Sequence, residues 1–274
     1  MSRLRCYMNW LALDGLGPFP EGPVAAIKQA GYDGIQFIDP LDKEALAEAR
    51  TLNLGVCGSG RVNIPTEADP LAQQAADNGL ECLTLHAGWG LEDDTEGAHL
   101  IESILTASQR HRIPLYVETH RATLFQDMQR TIKFIERFPE LTFNGDFSHW
   151  YTGSEMVYGG FERKLAFIQP VLDRVRFIHG RIGNPGSMQV DIGDGDPQTH
   201  PYVAHFRTLW TKSFEAYLRT PGPAQPFITF TPELLAPAIY YARTFHGAEE
   251  SDRWQQSLVL TTIARECFAA ASLE

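Results

Sequence analysis

Six side chains that could bind a metal or move a proton stand at or just after short apolar segments of this sequence. They are His86, Glu118, Asp146, His149, His179 and Glu233. A single histidine or glutamate in such a place is usually a hydrogen-bonded structural residue or a helix cap. Six of them at the ends of successive segments point instead to one shared site, provided that the fold brings those ends together.

The carboxylates of Glu118, Asp146 and Glu233 would repel one another if they were buried together, and each would also lose its hydration. A divalent cation removes both costs. Mixed carboxylate and imidazole ligands suit transition metals better than magnesium. We therefore expect one divalent ion, with manganese as the first choice and cobalt, zinc, iron, nickel or magnesium as alternatives.

The elements that must position these residues alternate regularly along the chain. Apolar runs of near strand length recur, each followed by a loop and a helical pattern. The predicted strands are residues 5–9, 34–38, 54–57, 81–86, 113–118, 141–146, 175–179 and 227–231. Eight strand–helix pairs in 274 residues predict an α/β fold, a single (β/α)8 TIM barrel domain over residues 1–274. A doubly wound open sheet is disfavoured because LALDGLGPFP, after the first strand, lacks the spacing of a phosphate-binding loop.

Helix signals support this alternation. Asp69 and Pro70 are predicted to be the cap and first turn of a helix that ends before Gly79. Phe125, Met128 and Ile132 begin a series that would share one helical face. Helices are expected at residues 23–30, 71–78, 164–172, 202–218 and 252–270, with a less regular stretch at 234–244. In such barrels the active site forms at the carboxyl ends of the strands, where the six residues stand.

The sequence resembles the xylose isomerase-like TIM barrel superfamily, the sugar phosphate isomerases and epimerases. The motifs that carry the resemblance are GYDGIQF, TLHAG, YVETH, NGDFSHW, FIHGRIG and FTPEL, in the expected order. The resemblance implies that Glu118, Asp146, His179 and Glu233 are metal ligands. It also implies that Glu118 and Glu233 are the catalytic acid/base groups that remove and return a proton through a metal-stabilised enediolate.

Four further residues are expected to contact the substrate near this centre. His149 would orient or protonate a substrate oxygen, and His86 and His120 would contact the substrate. Trp89 follows a strand end and could wall a sugar pocket, as could three other aromatic residues, although ordinary packing explains each of them equally well. Those three are Trp10, Trp150 and Tyr151.

Arg181 lies two residues after His179, so both side chains face the same side of an extended strand. Its guanidinium could bind a substrate hydroxyl, carboxylate or phosphate. A structural ion pair with a nearby ligand carboxylate is the other interpretation, and the sequence does not separate the two.

Two departures from the family pattern affect the substrate. Gln36 stands where many relatives carry glutamate. After His179, the usual arginine and Gly-Glu pair are replaced in GNPGSMQVDIGDGD, where Asp194 or Asp196 takes the place of the glutamate. The segment at residues 183–200 is predicted to be a loop over the site.

Four functions are compatible with these residues. A metal-dependent isomerase or epimerase of a sugar or sugar-like keto-polyol comes first. A lyase or dehydratase on a keto-sugar or inosose would use the same proton abstraction. An apurinic-endonuclease-like phosphodiesterase would need more ligands, for which His86, Asp194, Asp196 and His200 are the candidates. A non-catalytic sugar- or metal-binding protein is the fourth.

The bulk composition bears on partners and location. The net charge of −11 weighs against nucleic acid. No apolar stretch approaches the roughly 20 residues of a membrane span, and MSRLRCYMNW lacks the features of a secretory signal, so we expect a cytoplasmic protein without a membrane partner. Exposed aromatic residues at Tyr240, Tyr241 and Phe245 would allow a homo-oligomer. The scattered cysteines are expected to be buried free thiols; they are Cys6, Cys57, Cys82 and Cys267.

Overall fold

Eight parallel strands form a closed barrel in the computed structural model, which describes residues 3–38, 40–220 and 225–273. The strands are β1 Arg3–Asn9, β2 Gly34–Ile38, β3 Gly55–Val62, β4 Leu83–Ala87, β5 Leu115–Glu118, β6 Phe143–Asn144, β7 Val175–Gly180 and β8 Phe227–Pro232. Each strand pairs with the next, and β8 pairs with β1 through Arg3–Phe227 and Cys6–Phe230. The prediction of a (β/α)8 TIM barrel is confirmed.

Helices surround this barrel and alternate with its strands. They are α1 Pro23–Gln29, α2 Lys43–Thr51, α3 Ala68–Asp77, α4 Asp94–His111, α5 Met128–Arg137, α6 Phe147–Gly153, α7 Phe161–Phe167, α8 Gln169–Leu172, α9 Pro201–Arg219 and α10 Arg253–Ala271. Aspartate carboxylates accept backbone N–H groups at the starts of several of them, including Asp42 at α2 and Asp252 at α10. These side chains satisfy donors that the first turn of a helix leaves free, and so fix where each helix begins.

Local predictions differ from the structure in three places. Helix α3 begins at Ala68 with Glu67 as its first flanking residue, so Asp69 lies within the first turn and the predicted Asp69 cap is wrong. Phe125 precedes α5, because Asp127 accepts the backbone N–H of Arg130 and starts the helix there. The sequence pattern also missed helix α2.

The core has apolar side chains on both faces of the barrel, as a parallel sheet covered by helices requires. Phe230 of β8 packs against Trp210 of α9 with ring centroids 5.0 Å apart. Trp150 and Tyr151 are fully buried in α6, which confirms ordinary packing for both. The four cysteines are free and buried, as predicted.

The segment at residues 183–200 crosses from β7 to α9 as a loop with buried anchors. Val190 N–H donates to the carbonyl of Ile182, and the Gln189 side-chain amide exchanges hydrogen bonds with the backbone of Leu235. These contacts tie the loop after β7 to the loop after β8. In the part of the chain that the structure describes, no helix is both long and apolar enough to cross a membrane.

Candidate metal centre and active site

Four of the predicted residues meet at the carboxyl ends of β5 to β8. Glu118 ends β5, Asp146 precedes α6, His179 lies in β7 and Glu233 follows β8. One ligand atom from each lies within 4.8 Å of the others, and all four residues are buried. The fold therefore brings together the whole set that the resemblance implied as metal ligands.

His179 is central to this group. Its Nδ1 lies 3.2 Å from Oε2 of Glu118 and 3.3 Å from Oε1 of Glu233. Its Nε2 lies 3.0 Å from Oε1 of Gln36, a carbonyl-type oxygen that can only accept. Nε2 therefore carries a proton, and Nδ1 is the nitrogen that faces the two glutamates. An oxygen that accepts from the far nitrogen of a histidine, and so orients its ring, is typical of metal sites.

Uncharged amides hold the charged groups in place, and sequence reasoning missed them as site residues. Asn144 Oδ1 accepts the backbone N–H of His179 at 3.0 Å, which turns Nδ2 toward Glu118 Oε2, also at 3.0 Å. Asn9 donates to Gln36 and, at 3.4 Å, to Oε1 of Glu233. Asn9 and Asn144 are the last residues of β1 and β6, so the strand-end criterion would have found both had it been extended to amides.

Arg181 is fully buried beside the acidic cluster. Its Nη2 donates to Oδ2 of Asp146 and lies 3.0 Å from Oε2 of Glu233. Its Nε donates to Oγ of Ser148 at 3.1 Å. The sequence left two interpretations of Arg181 open. The structure shows the ion pair, which Arg181 makes with Asp146 and Glu233, two carboxylates predicted to be metal ligands. Nη1 is buried and has no hydrogen-bond partner among the described residues, so it retains a donor.

Three histidines lie in a row along one side of the site, with their rings tilted relative to one another. The ring centroids of His86 and His120 are 4.1 Å apart, and those of His120 and His149 are 3.9 Å apart. Arg61 Nη2 donates to His86 Nδ1 at 3.1 Å, and because arginine only donates, Nδ1 must accept. In neutral His86 the proton is therefore on Nε2, which faces Oε2 of Glu118 at 3.4 Å.

His149 has two neighbours at Nε2. Arg181 Nη2, which can only donate, lies at 3.1 Å, and Oδ2 of Asp146 lies at 3.4 Å. The shorter contact favours a lone pair on Nε2 and the proton on Nδ1 in neutral His149. Nδ1 is buried and has no hydrogen-bond partner among the described residues, so in this tautomer it has an N–H to offer to a substrate oxygen.

The rim of the site contains Trp89, Arg61 and Tyr241. Trp89 is 54% exposed, and Arg61 lies over its ring with 4.6 Å from Cζ to the centroid. Arg61 also contacts His86, so Trp89 is connected to the three histidines through Arg61.

Tyr241 was grouped with the exposed aromatic residues of a possible oligomer interface, but the structure places it in the site. Its hydroxyl lies 3.3 Å from Nε2 of His120, and its ring lies 4.6 Å from Cζ of Arg181. Tyr240 and Phe245 are exposed, as expected. Tyr241 could not be distinguished from them by sequence because it lies in an irregular loop without strand or helix periodicity.

The charges of the site perturb the pKa values of its groups. Burial alone would raise the pKa of Glu118, but the imidazoles of His179 and His86 hold it well below its usual range. Burial raises the pKa of Glu233 to about 7. Burial opposes protonation of His179, but Glu233 and Glu118 raise its pKa to about 9. Burial lowers the pKa of His120 to about 2, so that imidazole is neutral.

The four-residue group fits a divalent cation. Three carboxylates offer oxygens, His179 presents Nδ1, and Oε1 of Glu118 is buried without a hydrogen-bond partner among the described residues. Within residues 3–38, 40–220 and 225–273, a second possible group is His86, Glu118 and His120. Its His86 presents an N–H rather than a lone pair. Neither group includes Asp194, Asp196 or His200, the further ligands suggested for a multi-metal site.

No protein family model matches the chain, and no curated protein matches it. Solved structures do match. A xylose isomerase-like TIM barrel protein from Mycobacterium smegmatis, in complex with magnesium, is 17% identical, with 95% of this chain and 97% of that chain covered and a TM-score of 0.54.

Two enzymes have similar folds. D-psicose 3-epimerase from Clostridium cellulolyticum, solved with D-tagatose, is 10% identical over 98% of both chains, with a TM-score of 0.55. The probable 3-DHS dehydratase AsbF from Bacillus anthracis is 14% identical, covers 85% of this chain and 92% of its own, and has a TM-score of 0.54. At these identities the likeness establishes the fold: the chain has the fold of the xylose isomerase-like TIM barrels.

Proposed function

We propose that this protein is a divalent-metal-dependent isomerase or epimerase that acts on a sugar or sugar-like keto-polyol. The observation that carries the proposal is the buried group of Glu118, Asp146, His179 and Glu233, in which His179 Nδ1 lies 3.2 Å from Glu118 and 3.3 Å from Glu233. Two separate carboxylates beside one cation site are what removal and return of a proton at a substrate carbon requires.

In this proposal the four residues hold one divalent ion, with manganese as the first choice. When bound, such an ion supplies Lewis acidity that makes a hydrogen beside a substrate carbonyl easier to remove. Glu118 and Glu233 then act as the acid/base pair, one removing the proton and the other returning it. A return to the opposite face of the same carbon gives an epimer, and a return to the neighbouring carbon gives an isomer.

The residues around the ion would bind the substrate. His149 Nδ1 and His86 Nε2 would present N–H groups to substrate oxygens, with His120 between their two rings and Trp89 beyond Arg61 at the rim. Burial lowers the pKa of His120 to about 2, so its ring adds no charge to this side of the site. The proposed partner is therefore a small carbohydrate.

A lyase or dehydratase is the second candidate, supported by the fold shared with the probable dehydratase. The same first proton transfer would then be followed by loss of a hydroxyl group, which His149 could protonate. The phosphodiesterase is less well supported, because His86 presents a donor and the Asp194 segment contributes to neither possible metal group. A non-catalytic binding protein would not require two glutamates placed beside His179.

The first experiment is elemental analysis of protein purified without chelator, repeated on Asp146→Ala and His179→Ala. We expect about one divalent ion per chain in the wild type and a large loss in both variants, because each removes one of four ligands. Glu136→Ala, at an exposed site on α5, is the control and should keep the metal. Absence of metal from the wild type after addition of manganese or cobalt would refute the proposal.

The second experiment follows hydrogen exchange from D2O into ketoses and inososes by NMR, with mass spectrometry to detect loss of water. Glu118→Gln should reduce turnover by roughly a hundredfold or more, since a positioned general acid or base contributes about that factor. Exchange into an unchanged carbon skeleton identifies the isomerase, and a dehydrated product identifies the lyase. Full activity of Glu118→Gln would remove Glu118 from the proton transfer.

A further inference from the structure

A permanent cation lies within the acidic group that would bind the metal. The Arg181 guanidinium is fully buried and contacts two of the four proposed ligands, Asp146 through Oδ2 and Glu233 through Oε2. The other oxygen of Asp146 accepts from Ser148, at 3.0 Å from its backbone nitrogen and 2.6 Å from its hydroxyl. Every oxygen of Asp146 therefore already has a donor from the chain itself.

The guanidinium position is fixed from several sides. Nε donates to Ser148 Oγ, Nη2 lies against His149 Nε2, and the Tyr241 ring packs against the guanidinium plane at 4.6 Å. A buried arginine held this way cannot leave its partners by a simple rotation into solvent. It remains beside the carboxylates whether or not another cation is present.

The charge balance shows what this means for a metal ion. Three carboxylates and one guanidinium leave two net negative charges, which one divalent ion neutralises when His179 is uncharged. Without Arg181 the same ligands would leave three. A positive charge a few ångströms from the ion repels it and weakens its binding, even at an effective dielectric constant of about 20.

We propose that Arg181 is a resident counter-ion of the metal centre and sets its affinity. In the absence of metal the guanidinium keeps Asp146 and Glu233 together. In its presence the guanidinium competes for their oxygens and weakens binding of the cation. This inference rests on the metal centre of the proposed function, and Arg181 acts in it as a positioning residue.

The test compares wild type, Arg181→Met and Arg181→Lys after chelator treatment, with Mn²⁺ alone as the ligand. Arg181→Met keeps much of the side-chain length and removes the charge. We expect its melting temperature in chelator to fall by several degrees and its Kd for Mn²⁺ to fall by at least roughly tenfold, because an adjacent positive charge is gone. Arg181→Lys keeps the charge but loses contacts of the guanidinium, so its Kd should stay close to that of the wild type while its melting temperature in chelator falls.

Two controls make the result specific. Arg207→Met removes an arginine that pairs with Glu266 on the surface, and should leave both values unchanged. Millimolar guanidinium ion added to Arg181→Ala should raise its melting temperature and weaken its Mn²⁺ binding, because the free ion can re-enter the position of the side chain.

The outcomes separate this inference from the proposed function. Arg181→Met that binds Mn²⁺ no more tightly than the wild type overturns the counter-ion role while leaving the metal enzyme intact. Mn²⁺ binding by Arg181→Met but not by the wild type supports the counter-ion and refutes the metal-dependent activity. Binding by neither refutes both. If Arg181→Met does not fold, Arg181→Ala folded with added guanidinium ion replaces it, and a Kd for Mn²⁺ that does not rise with the guanidinium concentration overturns the inference.

Discussion

Hydrogen bonds with uncharged amide side chains hold the charged residues of the proposed metal centre in position. Asn144 contacts both Glu118 and His179, while Gln36 accepts from His179 and donates to Thr84 at 2.9 Å. An amide can accept with one atom and donate with the other, so it orients an imidazole and a carboxylate at once. Gln36 does this without adding the fourth buried negative charge that a glutamate at this position would bring.

Asn144→Ala tests this role. The substitution leaves the buried N–H of His179 without its acceptor and frees the Glu118 carboxylate, so we expect the free energy of unfolding to fall by about 2 kcal/mol. Metal affinity should fall by roughly 10- to 100-fold, the usual effect of removing a group that orients a ligand. Chemical denaturation and Mn²⁺ titration measure the two effects. Gln73→Ala, at an exposed amide on α3, should change neither, and equal behaviour of the two variants would exclude the orienting role.

At the scale of elements, β7 positions two central residues of the site. It carries His179 and is followed directly by Arg181, and Gly180 between them allows Phe230 of the neighbouring strand to pack closely. A Cβ at position 180 would overlap the Phe230 ring, which is itself fixed against Trp210. The small residue is therefore required by packing, and the spacing of the two site residues depends on it.

Gly180→Ala should consequently destabilise the protein by about 1–3 kcal/mol through overpacking, and should weaken metal binding because β7 must shift. Gly153→Ala, at the end of α6, is the matched control. A Cβ there would contact nothing within 4 Å, so its stability should be unchanged or slightly higher. Denaturant unfolding of both variants decides the matter: a loss of the same size in both would mean that crowding at Phe230 is not the cause.

The sequence predicted the type and order of the strands and helices more accurately than the helix boundaries and the side-chain contacts. Apolar runs located all eight strands because parallel strands are buried on both faces, and polar residues at the run ends located Glu118, Asp146 and His179. Periodicity failed where side-chain capping decides a boundary, as at Asp127 before α5. It also could not locate Tyr241, whose approach to His120 depends on an irregular loop. For Arg181 it left substrate binding and an ion pair open, because strand spacing gives the side on which the guanidinium lies but not its partners.

At the scale of the whole molecule, buried thiols should make stability sensitive to alkali. Burial raises the pKa of Cys6 in β1 to about 12, whereas an unfolded thiol ionises near about 8.5. Above pH 9 the unfolded chain loses this proton and the folded chain keeps it, so rising pH favours unfolding by about 1.4 kcal/mol per pH unit. Below the unfolded pKa this penalty is absent.

The measurement is the free energy of unfolding between pH 8 and 11 for wild type and Cys6→Ala. The wild type should lose stability more steeply, by up to about 1.4 kcal/mol per pH unit, whatever the absolute cost of the smaller side chain. Cys57 and other buried groups contribute equally to both proteins and cancel in the comparison. Parallel pH profiles would show that Cys6 ionises alike in the folded and unfolded states.

Because β8 pairs with β1, residues from opposite ends of the chain are neighbours in the site. Asn9 contacts Glu233 across 224 positions of sequence, and Arg253 donates to the carbonyl of Ala12 across 241. A ribosome releases these partners at different times. A nascent chain that has emerged only through β7 already contains Glu118, Asp146 and His179 but lacks Glu233. The four-residue group is thus completed only after β8 has been made, and a chain that stops at β7 lacks one of the four proposed ligands.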